Sequence, residues 1–211
     1  MRLVIFGPQG AGKGTQAARL AEKHDIPSIA TGDIFRWAIR GGTALGLKAK
    51  EYVDRGRFVP DDITIGVVVE RLSADDARAG FILDGFPRNL HQAKALDEFL
   101  DEKGSALDAA LVIEVPEELS VQRLLGRRVC SNCGRNYNVD SPPQNDWVCD
   151  VCGGKVEARD DDTEETIRDR LAAYHEQTEP LKAYYVKKGI LREIHGNGAP
   201  DEVFDRIVSA I

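Results

Sequence analysis

The sequence predicts an α/β protein whose parallel sheet is flanked by helices, and three observations carry that expectation. Short apolar, β-branched runs alternate with stretches whose apolar residues recur every three to four positions. The first such run passes through a glycine-rich loop straight into a helical pattern. One segment holding all four cysteines stands outside the alternation, as an insertion would.

Taken in chain order, Arg2 to Phe6 reads as the first strand, with Gly7 ending the apolar run. Further strands are expected at Gly80 to Asp84, Ala109 to Val115 and Leu191 to Ile194. Apolar spacing predicts helices over Thr15 to His24, Leu45 to Arg55, Ile63 to Leu72 and Leu90 to Leu100. Asp61 and Asp62 are candidate caps for the third of these. A long helix is expected from Asp162, with Glu165 as its capping partner, towards Lys187 or Lys188 before Gly189. Pro180 lacks an N–H and its ring crowds the preceding turn, so it should kink or interrupt that helix. Pro200 suits the first turn of a terminal helix reaching Ile211.

At 211 residues the chain suits one core carrying inserted pieces. Its net charge of −7 disfavours nucleic acid and anionic lipid as partners, so any polyanion site must be local. No apolar run approaches the roughly 20 residues needed to span a bilayer. The charged and apolar start is cut short by Gly7, too early for a signal peptide, which makes a cytoplasmic location the expectation.

The glycine-rich loop runs Gly7-Pro8-Gln9-Gly10-Ala11-Gly12-Lys13-Gly14-Thr15. Backbone N–H groups of such a loop curl around phosphate oxygens, the following helix adds positive potential at its start, and Lys13 reaches the outer phosphates. Gly14 takes the place usually held by Ser or Thr, and the hydroxyl arrives one residue later at Thr15.

The cysteines form two C-x-x-C pairs, Cys130 with Cys133 and Cys149 with Cys152, separated by 15 residues. Two such knuckles bring four thiolates into a tetrahedron, the geometry of a closed structural Zn²⁺ site. The surrounding stretch from Arg127 to Asp160 is 34 residues, too few to sustain a core without a staple. Disulfides compete with metal here, but a reducing compartment disfavours them. Zinc ribbons also bind nucleic acid, and Arg127, Arg128 and Arg135 could serve that use, although Asp140, Asp146, Asp150 and Glu157 dilute any basic face.

Four ordered motifs then carry a resemblance: the Gly12-Lys13-Gly14-Thr15 ending, Thr31-Gly32-Asp33 with Arg36, Asp84-Gly85-Phe86-Pro87-Arg88 with Gln92, and Arg159-Asp160-Asp161 with Arg170. Together they resemble the nucleoside monophosphate kinases, and within them the adenylate kinases of the long-lid type, from Met1 to about Pro200. The resemblance implies a P-loop core over residues 1–29, 60–125 and 161–211, an AMP-binding flap over 30–59 and a zinc-ribbon lid over 126–160. It implies phosphoryl transfer between ATP and AMP, with ADP as product, Mg²⁺ accompanying ATP, structural Zn²⁺ in the lid, and a monomer.

By the same resemblance, Gly10, Ala11, Gly12, Lys13, Gly14, Thr15, Arg123, Arg127, Asn136, Tyr137 and the backbone near Gly198 meet ATP. Thr31, Arg36, Arg57, Phe58, Val59, Gly85, Phe86, Pro87, Arg88, Gln92, Arg159 and Arg170 meet AMP. Lys13, Arg88, Arg127, Arg159 and Arg170 surround the transferring group. Asp84, ending a strand, is placed to hold Mg²⁺ through water. A kinase of another nucleoside monophosphate and a non-catalytic, nucleotide-dependent binder of nucleic acid are the rival readings.

Overall fold

The computed structural model describes residues 1–53, 59–159 and 162–211, and leaves out the side chains of Arg36, Trp37, Arg40 and Val53. The expectations for Arg57, Phe58, Asp160 and Asp161, and for the Arg36 side chain, therefore lie outside the described residues.

In chain order the elements are β1 (Arg2–Phe6), α1 (Lys13–His24), β2 (Ser28–Ala30), α2 (Thr31–Arg40), α3 (Ala44–Val53), α4 (Asp61–Leu72), β3 (Phe81–Asp84), α5 (Leu90–Glu102), β4 (Ala109–Glu114) and α6 (Glu117–Leu125). There follow β5 (Arg127–Cys130), β6 (Asn136–Asn138), β7 (Val156–Ala158), α7 (Glu164–Ala173), α8 (Leu181–Lys187), β8 (Leu191–His195) and α9 (Pro200–Ala210).

Five strands form a parallel sheet in the order β2-β3-β1-β4-β8. Parallel strands buried on both faces need apolar side chains on both, and β1 supplies them alternately. Leu3 and Ile5 join one apolar cluster with Ala17 and Leu20 of α1 and Val203 and Ile207 of α9. Val4 and Phe6 join the other, with Val67, Leu96, Leu181 and Tyr185 from α4, α5 and α8. Fully burying one such Leu, Ile or Phe side chain stabilises by about 1.5–3 kcal/mol. All five strands end at the same edge of the sheet, and the chain leaves β1 towards one side and β4 towards the other. The loops after these two strands therefore part and open a crevice at that edge.

Gly7 sits at the mouth of this crevice with φ +141°, where an added Cβ would lie 2.2 Å from the Ile113 carbonyl oxygen. No side chain fits without separating β1 from β4. Gly7→Ala should lower unfolding stability by about 2–4 kcal/mol, from overpacking and the left-handed backbone together. Urea denaturation measures it, and an unchanged midpoint would contradict the packing argument.

Several sequence expectations shift. The first helix begins at Lys13 rather than Thr15. Neither β2 nor α2 was expected, and α6 was not expected either. Asp61 and Asp62 do not cap α4: Pro60 is the N-cap, and the Asp61 carboxylate instead receives bonds from Asn89 and Gln92. The cap of α7 is Thr163, not Asp162, because the Thr163 hydroxyl accepts from the Thr166 N–H while Asp162 turns to an arginine. Glu165 consequently sits inside the first turn rather than reaching back.

The long helix ahead of Gly189 is broken, as the proline predicted. A π-helical turn over Tyr174–Thr178 closes with the Glu179 N–H on the Tyr174 carbonyl at 2.9 Å, and α8 restarts after Pro180. The wider turn accommodates the ring and the missing donor.

The cysteine-bearing segment forms its own antiparallel sheet, β6-β5-β7. Each C-x-x-C is followed by a glycine in the left-handed region, Gly134 at φ +74° and Gly153 at φ +70°. Gly134 N–H donates to Cys130 C=O at 3.0 Å, and Gly153 N–H to Cys149 C=O at 2.9 Å. Matching turns thus present both cysteine pairs to the same point. Among the described residues, no helix is long and apolar enough to cross a membrane.

Candidate active site

The loop between β1 and α1 is built to receive an anion. Gly12 precedes α1 in a left-handed conformation (φ 90°) and supplies no side-chain cap, and the first turn contains no acidic residue. Its N–H groups and the positive end of the helix dipole face the crevice without an internal competitor. Lys13 Nζ donates to the Gly7 and Pro8 carbonyl oxygens at 2.9 and 2.7 Å, folded back over the loop. Gly14 lies against Asp84: a Cβ there would stand 3.2 Å from Asp84 Oδ2, so the glycine leaves room for that carboxylate. Thr15 follows, exposed to solvent.

Asp84 ends β3. Burial pushes its carboxyl upwards, the charges of Lys13 and Arg88 oppose that, and Asp33 adds to the rise. Lys13 itself is lowered to about 8, mainly by burial and further by Arg88 and Arg127, with Asp84 working in the other direction. Arg88 Nε donates to the Gly85 carbonyl at 2.8 Å, and the Thr178 hydroxyl donates to the Arg88 carbonyl at 2.8 Å. Solvent reaches the guanidinium through the crevice opening, yet the enclosing walls lower its pKa, as does the nearby charge of Arg170. Thr31, buried at the start of α2, donates its hydroxyl to the Asp84 carbonyl at 3.2 Å.

Arg127 enters from β5 and makes a two-pronged pair with Asp162, Nε to Oδ2 at 2.7 Å and Nη2 to Oδ1 at 2.6 Å. Arg170 of α7 approaches the same carboxylate at 3.5 Å, and the Asp162 side chain is only 4% exposed. A buried carboxylate therefore gathers two of the expected catalytic arginines, a role sequence reasoning missed. Its only signal was an acidic residue following the Arg159 motif. On the far side, Arg123 spans from the Gly10 carbonyl at 3.4 Å to the Gly196 carbonyl at 3.1 Å, joining the phosphate loop to the loop after β8.

Arg159 is exposed just beyond β7, and Asn136 is exposed on β6. Phe86 is buried in the core, so the Gly85-Phe86-Pro87-Arg88 turn offers its backbone to the crevice rather than that ring. Val59 accepts from the Thr64 hydroxyl at 3.4 Å, which ties it to the first turn of α4. Gly198 has φ +107° in the loop before α9, where its neighbours are Glu202 and Arg206. Gln92 is buried, donating to Asp61 at 2.6 Å and accepting from the Arg88 N–H at 2.7 Å.

The four cysteine sulfurs lie within 4.8 Å of one another, with Cys130 to Cys152 at 3.5 Å and Cys133 to Cys149 at 3.6 Å. Tetrahedral thiolates about 2.3 Å from a zinc ion stand about 3.8 Å apart, so this donor set fits such an ion. The Tyr137 hydroxyl donates to Cys149 Sγ at 3.3 Å and accepts from the Asp150 N–H at 2.9 Å. That hydroxyl bond is the first cause holding the Cys149 thiol down to about 6. Tyr137, expected to face ATP, thus commits its hydroxyl to the cysteine cluster.

Comparison with known proteins decides the family. A family profile described as adenylate kinase matches residues 5–190. The chain belongs to the adenylate kinase family. It is similar to the adenylate kinase of Thermodesulfovibrio yellowstonii, 55% identical over 212 aligned positions that cover 100% of this chain and 99% of the relative. It is 50% identical to that of Clostridium tetani and 51% to that of Acetivibrio thermocellus, each match covering 100% of this chain and 98% of the relative.

For an adenylate kinase the state of Lys13 has a kinetic consequence. As pH rises through about 8 in the free protein, Lys13 loses its positive charge, the charge that the sequence expectation sets against the ATP phosphates. The kcat/KM for ATP should be level below that point and fall about tenfold per pH unit above it. A profile flat to pH 9.5 would contradict the lysine's state.

Proposed function

We propose that this chain catalyses the reversible transfer of a phosphoryl group between ATP and AMP, giving two ADP. One observation carries the reading. Lys13 from α1 and Arg88 from the turn after β3 flank Asp84, Arg127 of β5 lies near enough to Lys13 and Arg170 of α7 near enough to Arg88 to lower their pKa values, and Asp162 joins Arg127 to Arg170. Phosphoryl transfer requires little more of a protein than to align two polyanions and neutralise a loose transition state. Clustered cations in a crevice that closes against water serve that need, because their effect grows as the dielectric falls.

In this reading the backbone from Gly10 to Thr15 and Lys13 hold the ATP phosphates, with Arg123 and Arg127 beside them. Arg36, Arg88, Arg159 and Arg170 take the AMP phosphate, and Thr31, Val59 and Gln92 bound the nucleoside. Asp84 would hold, through water, the Mg²⁺ that accompanies ATP, and that ion would supply neutralisation of phosphate charge. Cys130, Cys133, Cys149 and Cys152 hold a structural Zn²⁺. Residues 30–59 and 126–160 close over AMP and ATP and exclude water from the reaction. The protein works in the cytoplasm as a monomer, without nucleic-acid or membrane partners.

The test is to incubate the purified protein with Mg·ATP and each nucleoside monophosphate in turn. AMP should give ADP fastest by a wide margin. Faster turnover of another monophosphate would make it a kinase of that nucleotide. Salt-sensitive oligonucleotide binding without ADP formation would make it the ribbon-type binder.

A further inference from the structure

Asp61 caps no helix, and the phosphate chemistry does not use it. It lies in the first turn of α4, beside the first turn of α5, and its two carboxylate oxygens are both taken. Oδ1 accepts from Gln92 Nε2 at 2.6 Å and Oδ2 from Asn89 Nδ2 at 2.8 Å. At its other end the Gln92 amide oxygen accepts from the Arg88 N–H at 2.7 Å, and the Gln92 N–H donates to Asn89 Oδ1 at 3.0 Å. Gln92 is only 4% exposed, so these partners rather than water set its orientation.

A carboxylate only accepts and a peptide N–H only donates. Both contacts therefore require the same sense of the Gln92 amide: nitrogen towards Asp61, oxygen towards Arg88. The reverse sense would set oxygen against oxygen at Asp61 and N–H against N–H at Arg88.

We propose that Asp61 is a specificity-determining positioning residue of the monophosphate site: by fixing the sense of the Gln92 amide, it selects a 6-aminopurine over a 6-oxopurine. The proposal rests on the reading of AMP at Gln92 given above. A 6-aminopurine offers a donor at position 6 beside an acceptor at N1, and a 6-oxopurine offers the reverse. A primary amide free to turn over can match either pattern, whereas a fixed one matches a single pattern. Asparagine cannot substitute at position 61. Both neighbours donate to it, and one end of an asparagine amide is itself a donor, so one N–H is left facing another or the Gln92 amide turns round.

The experiment compares AMP with inosine monophosphate, which differs on the base only at position 6 and the N1 proton, as phosphoryl acceptors with Mg·ATP. Wild type should prefer AMP in kcat/KM by at least about a hundredfold. Asp61→Asn and Asp61→Ala should each shrink that preference at least tenfold, through KM for the monophosphate, with KM for ATP unchanged. An unchanged preference in folded, active variants would overturn the proposal while leaving the proposed function standing. Failure of wild type to phosphorylate AMP would instead overturn the reading on which it rests. Should both variants unfold, amide NMR of the wild-type Gln92 side chain decides: one Nε2 proton protected from exchange supports the lock, and two freely exchanging protons overturn it.

Discussion

Replacing Arg88 with alanine should lower turnover by about three orders of magnitude and leave the melting transition close to that of wild type. The size follows from where the residue stands. Removing one preorganised donor from a transition state in a closed site costs about two to three orders of magnitude, and removing a phosphate-facing arginine up to about five. The intact fold follows from its contacts: within the protein the guanidinium meets the Gly85 carbonyl, and what ties the segment to α5 and the π-helical turn is the Arg88 backbone, through Gln92 and Thr178. Alanine keeps both backbone bonds. Lys13→Ala should behave alike, since its ammonium in the free protein hydrogen-bonds to the Gly7 and Pro8 carbonyls, which water can replace. Stopped-flow or coupled assays, with thermal melts as controls, measure both. Near-normal turnover in either variant would remove that residue from the mechanism.

Removing metal from the cysteine cluster should unfold the β5-β6-β7 sheet while the five-stranded core persists. The apolar cluster there is small: Cys130, Cys149 and Val156, with Tyr137 and Trp147 partly buried against them. Two of those five are the proposed ligands themselves. Binding of a structural zinc contributes about 10–16 kcal/mol in small zinc-folded peptides, far more than so few side chains can supply. Hydrogen exchange on chelated protein should therefore lose protection at Arg128, Val129 and Cys130 and keep it at Leu3, Val4 and Ile5. Thermal stability of the cysteine segment should fall more than nucleotide affinity does, because the phosphate loop and Arg88 lie in the core. An unchanged melting profile after verified metal removal would contradict the structural role.

Much of this molecule was legible in its sequence because the decisive features are local. The strand-loop-helix context of Lys13 follows from an apolar run, glycines and a helical pattern in contiguous residues, and the paired C-x-x-C-Gly turns follow from their own spacing. Asp84 was readable as a strand end because Gly85 follows it.

What escaped depends on distance or brevity. The strand Ser28–Ala30 is too short to display alternation, and Thr31-Gly32-Asp33 looks like a turn although it opens a helix. The helix Glu117–Leu125 hides behind Pro116, which reads as a breaker but serves as its cap residue. Asp61 and Asp162 both sat where a helix cap was expected, and helix-start chemistry offered each an adequate explanation. Their actual partners come from elsewhere in the chain: Gln92 stands 31 residues from Asp61, and Arg127 stands 35 from Asp162. The packing of α4 against α5 brings the first pair together, and the approach of β5 to the residues just ahead of α7 brings the second.

The central claim is that one crevice holds two adenine nucleotides with their phosphates meeting among Lys13, Arg88, Arg127 and Arg170. Supplying purified, metal-loaded protein with Mg²⁺ and ADP as the sole nucleotide tests it directly, by separating the products over time. Equal amounts of ATP and AMP should appear at a rate that Arg88→Ala lowers about a thousandfold. Formation of AMP and inorganic phosphate without ATP, or no conversion at all, would contradict it.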